Sequence, residues 1–336
     1  MNYTSIGDLA QHFQTRRQTI QVKTELQRLS QELSTGRKTS IATKTTGDFS
    51  PIVGLERAIN AIRAFETPRA ETNLLAQTMQ TALAGVQQHS DDLSSGLLTA
   101  GNSRNPVMIN AAAVDGETRF RAVISLFNTQ VADRYSFSGA ATDRQALADP
   151  GLILTELNLA ITGLTTATDV ETAVDAWFDT PGGGYDTLAY TGAAVAISTI
   201  RVSESDAVDL GITAADAEVR ASIKGFAIAA LVSQGALSAD LDERATLTLR
   251  AGEIILSAQG AVSEMRARIG SAEARMGEVT LASQAELFSL ELARTDIVQA
   301  DPYETATRLE AVRAQLDTVF TITARLSQLS LTEYLR

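Results

Sequence analysis

Apolar side chains recur at alternating spacings of three and four along much of this chain. Near one end the stripe runs Val22, Leu26, Leu29, Leu33. Near the other it runs Leu309, Val312, Leu316, Val319, Leu326 and Leu329, with Thr323 filling one slot. Such stripes are seams that want another helix. Two seam helices this far apart in sequence predict that they pack on each other or on neighbouring copies. Leu316, Val319, Leu326 and Leu329 are expected to face Phe13, Val22, Leu26 and Leu29.

Between the seams, breakers mark further helices. The first helix is predicted from about Ile6 to Leu33 and is ended by Ser34-Thr35-Gly36, with a loop over 37–49. Ser50-Pro51 offers a capping hydroxyl and an early proline. The stripe that follows passes through Met79, Leu83, Val86, Leu93 and Leu97, with a break predicted near Thr67 because of Pro68. Asn105-Pro106 repeats the cap-plus-proline start, and Phe120, Ile124, Phe127 and Val131 predict a third helix ending near Tyr135. From about residue 140 the periodicity weakens. Residues 148–212 read as a small α+β insertion, with a short helix near Val170–Phe178, a turn at Pro181-Gly182-Gly183-Gly184 and strands within Ala189–Val202.

Helical texture returns at Thr213. Asp240 with Glu243 predicts a capping box before a long run marked by Met265, Ile269, Ala272, Met276, Val279, Leu290 and Ile297. No proline falls between Pro181 and Pro302, and sixty helical residues would span roughly 90 Å. A rod is therefore expected. Asp301-Pro302-Tyr303-Glu304 combines a cap, a first-position proline and a capping-box glutamate, which predicts a joint before the last seam helix.

The predicted fold is mainly α: an elongated antiparallel helical bundle or coiled coil formed by N- and C-terminal segments, with a small inserted α+β domain. Its segments are residues 1–46 and 301–336 (paired coiled-coil segments), 47–140 and 213–300 (rod helices) and 141–212 (an acidic outer insertion).

Composition narrows the function. Aromatics make up 5% of the 336 residues, which favours helical layers held by aliphatic side chains. Residues 140–220 carry 13 acidic side chains against three arginines, whereas residues 1–46 are mildly basic. That distribution argues against nucleic acid, which needs a clustered basic face. No apolar run approaches a membrane span, and no secretory signal peptide is visible. Cysteine is absent, which excludes disulfides, thiol nucleophiles and zinc–thiolate sites. The absence fits both chance in a cytosolic protein and export in unfolded form.

Catalytic constellations are missing. His12 and His89 sit singly on predicted helices without metal spacing. Gly182-Gly183-Gly184 lacks the Lys-Ser or Lys-Thr of a phosphate loop. The acidic pairs Asp91-Asp92 and Asp206 with Asp209 are the only handles for an enzyme hypothesis, and surface carboxylates are common. No cofactor or metal is expected.

Three segments carry a family resemblance. They are Leu26-x-x-Leu29-Ser30-x-Glu32-Leu33-Ser34-Thr35-Gly36-Arg37, Asn128-x-x-x-x-Asp133-Arg134-Tyr135-Ser136-Phe137-Ser138-Gly139, and Ala324-Arg325-Leu326-Ser327-Gln328-Leu329-Ser330-Leu331-Thr332-Glu333-Tyr334-Leu335. The first resembles the Leu-Ser-Thr-Gly-Lys/Arg helix end of the flagellin superfamily. The second is similar to the Gly-x-Tyr-x-Phe-x-Gly turn of its hook–filament junction members, with Asp133 in place of the first Gly; Tyr135, Phe137 and Gly139 match. The third resembles the Ser-Leu-x-x-Tyr-Leu ending of junction proteins more than the ending of flagellins.

The resemblance implies a structural subunit of the bacterial flagellum, not an enzyme. The terminal helices would form an inner coiled-coil layer through Phe13, Val22, Leu26, Leu29, Leu33, Leu309, Val312, Leu316, Val319, Leu326 and Leu329, with Asp301, Pro302 and Glu304 at the joint. It also implies self-association in a ring or helical layer, contact with a neighbouring hook-associated protein and with flagellin, an export chaperone, and an extracellular location reached without a cleaved signal peptide. A flagellin-type filament subunit is the alternative.

Overall fold

The computed structural model describes residues 6–39, 49–197 and 199–334. The fold is mainly α, with two small two-stranded antiparallel sheets and a small α+β insertion. The chain forms two compact units, residues 1–61 with 284–336 and residues 62–283.

In the first unit, α1 (Ile6–Thr35) ends at Gly36, whose φ of 66° is the left-handed cap expected there. Most of the predicted loop after it, residues 40–48, lies outside the described residues. Helix α2 (Ser50–Ala64) begins at Ser50 as expected. The break before α3 (Glu66–Ser103) falls at Phe65, two residues earlier than Thr67. The cause is steric. In a continuous helix the Pro68 ring would strike the carbonyl of Ala64, four residues back. With the break at Phe65, Pro68 stands in the first turn of α3, where a missing N–H costs nothing.

The second unit is built on α3, α4 (Pro106–Phe127), α7 (Ala217–Ser233) and α8 (Leu241–Val298). Asn105 caps α4, its Oδ1 accepting from Val107 N–H at 2.9 Å and Met108 N–H at 3.4 Å. Helix α7 is the centre of the core: Phe226 to Val232 are all buried. Met79, Leu83, Val86, Leu93 and Leu97 of α3, and Met265, Ile269, Ala272, Met276 and Val279 of α8, face the same core, as their spacing predicts. Helix α8 runs unbroken for 58 residues, about 90 Å of helix.

Its start corrects the capping-box expectation. Asp240 Oδ1 does accept from the Asp242 and Glu243 N–H groups, at 2.9 and 3.2 Å. Glu243 does not reach back. Its carboxylate accepts from Ala167 N–H at 2.6 Å and so caps a different helix, α6 (Ala167–Asp179).

Helix α4 ends at Phe127, not near Tyr135. Val131 and Tyr135 instead lie in a short hairpin, β1 (Gln130–Val131) with β2 (Arg134–Tyr135), in the register Gln130↔Tyr135 and Val131↔Arg134. Its two loop residues, Ala132 and Asp133, have φ of 47° and 60°.

The insertion holds more helix and less strand than expected. Helix α5 (Pro150–Ala160) was not foreseen, although Asp149-Pro150 repeats the cap-plus-proline signature and Asp149 Oδ1 accepts from Gly151 N–H at 2.7 Å. Helix α6 is present and extends the predicted Val170–Phe178 at both ends. Extended structure between Ala189 and Val202 shrinks to β3 (Ile200–Arg201), paired with β4 (Ala207–Val208). The rest is irregular backbone held by side chains, such as Tyr190 OH donating to Ala193 C=O at 2.6 Å. A π-turn at Tyr185–Ala189 follows the glycine run, and Tyr185 packs with Trp177 and Phe178 in one aromatic cluster.

Candidate functional site

The first unit brings the two seams together. Helix α9 (Pro302–Tyr334) runs antiparallel to α1, with Glu304 and Arg308 beside Glu25, Arg28 and Glu32, and Phe320 beside Lys23. Lys23 Nζ stands 5.5 Å from the centre of the Phe320 ring, within cation–π reach.

The seam residues divide by face. Val22 and Leu29 are buried on α1, and Leu309 is buried on α9. Leu26, Val312, Leu316 and Val319 are half-buried. Phe13 is 71% exposed and Leu33 39% exposed. Leu326 and Leu329 lie in α9, but their side chains fall outside the described residues. Ile20 and Phe320 add exposed apolar surface that the heptad reading passed over. A heptad count follows one stripe and passes over apolar residues that flank it.

The joint has a specific geometry. Asp301 Oδ1 accepts from Tyr303 N–H at 2.8 Å and from Glu304 N–H at 3.1 Å, and Pro302 opens α9. Glu304 is turned to Arg308, one turn on, at 2.9 Å. Opposite the joint, the Arg28 guanidinium bonds both Glu25 and Glu32. Its hydrogen bonds hold the Glu25 carboxyl below the usual carboxylate range, against a weaker opposing effect of burial. Sequence reasoning missed this cluster, although Glu25, Arg28 and Glu32 at spacings of three and four are readable as a one-face charge set.

The turn motif lies in the second unit. Tyr135 pairs in β2, and Phe137 is fully buried with its ring edge-on to Phe127 at 5.3 Å. Gly139 has φ of 63°, and a Cβ there would stand 2.6 Å from Val195 C=O, so the position takes only glycine. Backbone bonds from Ala193 N–H to Ser138 C=O and from Ala214 N–H to Phe137 C=O join the motif to both edges of the insertion.

The carboxylates considered for chemistry have structural partners. Asp206 accepts from the Ser203 and Ser205 hydroxyls and pairs with Arg275; these hydrogen bonds, the Ser205 one foremost, hold its carboxyl below the ordinary range. Asp209 Oδ1 accepts from Gly211 N–H at 2.8 Å. Asp91 accepts from Gln259, and Asp92 from Arg119. Among the described residues there is no cluster of three His, Asp or Glu able to hold a metal, and no helix long and apolar enough to cross a membrane.

Residues 253–335 match the family model of the bacterial flagellin C-terminal helical region. No curated protein is significantly similar to the chain in sequence. The fold is similar to that of FlgL from Bacillus cereus, at a TM-score of 0.52 and 13% identity over 72% of this chain and 100% of that one. A proposed flagellar hook-associated protein of Vibrio parahaemolyticus gives a TM-score of 0.48 and 15% identity, over 73% of this chain and 94% of that one. Residues 253–335, which include the third of the three motif segments, thus resemble the flagellin C-terminal helical region, and the fold over 72% of the chain resembles that of FlgL from Bacillus cereus.

Proposed function

We propose that this chain is a structural adaptor subunit that joins the flagellar hook to the filament through coiled-coil assembly of its terminal helices. The observation that carries the reading is the α1–α9 pair. It is closed on one face by Val22, Leu29 and Leu309 and leaves Phe13, Ile20 and Leu33, with part of Phe320, exposed. Apolar side chains left over on a two-helix pair are what a layer of neighbouring copies would bury. Residues 1–46 and 301–336 would form that layer, and the acidic stretch 141–212 would project outward. A neighbouring hook-associated protein, flagellin and an export chaperone are the partners this role needs. The subunit would act outside the cell, exported without a cleaved signal peptide.

A filament-subunit reading draws on the family model, which describes flagellins. The Tyr135–Gly139 turn and the Ser330-Leu331-Thr332-Glu333-Tyr334-Leu335 segment favour the junction. Abundance separates the two, since a junction protein is a trace component beside filament subunits.

Deleting the gene and imaging the cell surface tests the proposal. Bare hooks with flagellin shed into the medium are expected. Intact filaments on hooks would overturn it. At residue level, Leu326→Asp should leave residues 62–283 folded and abolish incorporation; normal incorporation of that variant would remove the seam from the proposal.

A further inference from the structure

Each turn of α6 is bound to α7 or α8 by a polar contact. At its start, Ala167 N–H donates to the Glu243 carboxylate of α8 at 2.6 Å. One turn on, Glu171 pairs with Arg250 of α8. Asp175 and then Asp179 hold the Lys224 ammonium of α7, the first at 2.8 Å. At the end of the helix, Arg220 of α7 donates from Nη1 to Phe178 C=O at 3.0 Å. An anion from α8 thus stands at the N-terminus of α6 and a cation from α7 at its C-terminus, each complementing the helix dipole.

The residue spacing explains the arrangement. Val170, Val174 and Phe178 form the buried stripe of α6, which packs on α7. Glu171, Asp175 and Asp179 form a second stripe, one residue further along. Beside it lies a groove of about 220 Å³ lined by Glu171, Asp175, Lys224, Ile254 and Ser257, so ion pairs and not close packing span the gap to α8 here. Burial disfavours the Lys224 charge, but Asp175 and Asp179 outweigh that, and its pKa stands above the ordinary lysine value. The acidity of residues 141–212 is therefore in part a docking charge.

By itself α6 is a weak helix. Its 13 residues are close to the length below which isolated helices are marginal. Thr168, Val170, Thr172 and Val174 are poor helix formers. Glycines stand on both sides of it. Gly163 and Gly182 have φ of 85° and 74°, with nothing within 4 Å of either absent Cβ.

We infer that residues 164–181 form a latched flap, hinged at Gly163 and Gly182 and closed on α7 and α8 by the Glu243, Arg250, Lys224 and Arg220 contacts. The flap opens as one piece while the core of α3, α4, α7 and α8 stays folded. Opening bares the Val170, Val174 and Phe178 stripe and the α7 surface beneath it. The device is a property of the free subunit and does not rest on the proposed function.

Hydrogen exchange read by mass spectrometry on the full chain tests it, with variants at the two ends of the flap. Glu243→Ala removes the contact at the start of α6. Lys224→Met removes those of its second half and keeps an alkyl chain in place. In either variant, residues 167–172 and 173–179 should both exchange about tenfold faster, the effect of losing a charge-assisted hydrogen bond, with α4 unchanged. Lys224→Arg, which retains the charge, should stay near wild type. Faster exchange only in the half beside the substitution overturns the flap, because α6 would then fray from one end. Unchanged exchange in both variants overturns it too, as does an equal rise in α4, which would make these residues general folding determinants. Exchange in Lys224→Arg as fast as in Lys224→Met overturns the latch, since shape and not charge would then close it.

Discussion

Gly116 of α4 lies so close to Ala229 of α7 that a Cβ added at 116 would stand 2.6 Å from the Ala229 Cβ. Real Cβ atoms do not approach that closely, so two central helices touch here backbone to methyl. Gly96, on the exposed side of α3, has nothing within 4 Å of its absent Cβ. The same substitution should therefore have opposite signs at the two sites. Gly96→Ala gains helix propensity and should stabilise by about 0.5–1 kcal/mol. Gly116→Ala gains the same propensity but overpacks a closed core, at a cost of about 1–3 kcal/mol, and should be net destabilising. Urea unfolding followed through Trp177, which lies in the same unit, measures both. A Gly116→Ala midpoint above wild type would show that α4 and α7 separate easily.

The contrast also shows what the sequence can and cannot carry. Helix starts were legible at Asn105, Asp240 and Asp301 because a capping side chain and its target N–H groups are two or three residues apart. The buried stripes of α3 and α8 were legible because periodicity is local. The end of α4 was not. Its hairpin turns on Ala132 and Asp133, neither of which announces a left-handed backbone as Asn-Gly would. Glu243 looked like a capping-box partner, and only the tertiary fold shows that it caps α6 instead. At the candidate site, the seam spacing identified Val22, Leu29 and Leu309. The backbone ladder between residues 36–38 and 298–300 depends on contacts across most of the chain length, which no local pattern records, and the Glu32–Thr39 bond is made to a backbone N–H seven residues on, beyond the reach of helical spacing.

The joint separates a simple cap from a capping box. Asp301→Ala removes the acceptor of two N–H groups in the first turn of α9 and should cost about 1 kcal/mol of helix stability. Glu304→Gln breaks only an exposed pair with Arg308, 54% and 65% exposed respectively, and should change stability by less than about 0.5 kcal/mol. Amide exchange at residues 302–305 should rise in the first variant and not in the second. Equal effects would mean that Glu304 reaches back to the cap in solution.

His89 should make the second unit sensitive to mild acid. Its pKa lies below the ordinary value, first because burial disfavours the charged ring and second because the Arg119 guanidinium is close. Arg119 Nη1 lies 3.2 Å from His89 Nδ1, a contact that needs the Nδ1 lone pair. The folded chain thus holds the neutral ring while the unfolded chain protonates at the ordinary pKa. Stability is full above about pH 6.5 and is lost as pH falls from there through the folded-state pKa. Urea midpoints at pH 8 and pH 5.5 check this. Wild type should lose more stability between them than His89→Gln, in which the titration is absent, and an identical loss in both would assign the acid sensitivity elsewhere.

The β1–β2 hairpin offers the last test, because its turn is made of residues unsuited to it. Positive φ at both loop positions is the signature of a type I′ turn, which favours Asn followed by Gly. Here the positions hold Ala132, at φ 47°, and Asp133, at φ 60°. A left-handed backbone costs a residue with a Cβ about 1 kcal/mol, less for Asp than for Ala. Neither side chain offsets that cost by burial, since both are exposed. Asp133→Gly and Ala132→Asn should therefore each stabilise by about 0.5–1 kcal/mol, and together should slow amide exchange at Tyr135, whose N–H donates to Thr142 C=O. The gain should be specific to these positions. Ser136→Gly, one residue beyond β2 and buried, has no strained φ to relieve and should destabilise. If the double variant leaves both the urea midpoint and the Tyr135 exchange unchanged, the turn does not hold positive φ in solution, and the end of α4 extends toward the position that the helical periodicity of Phe120, Ile124, Phe127 and Val131 first indicated.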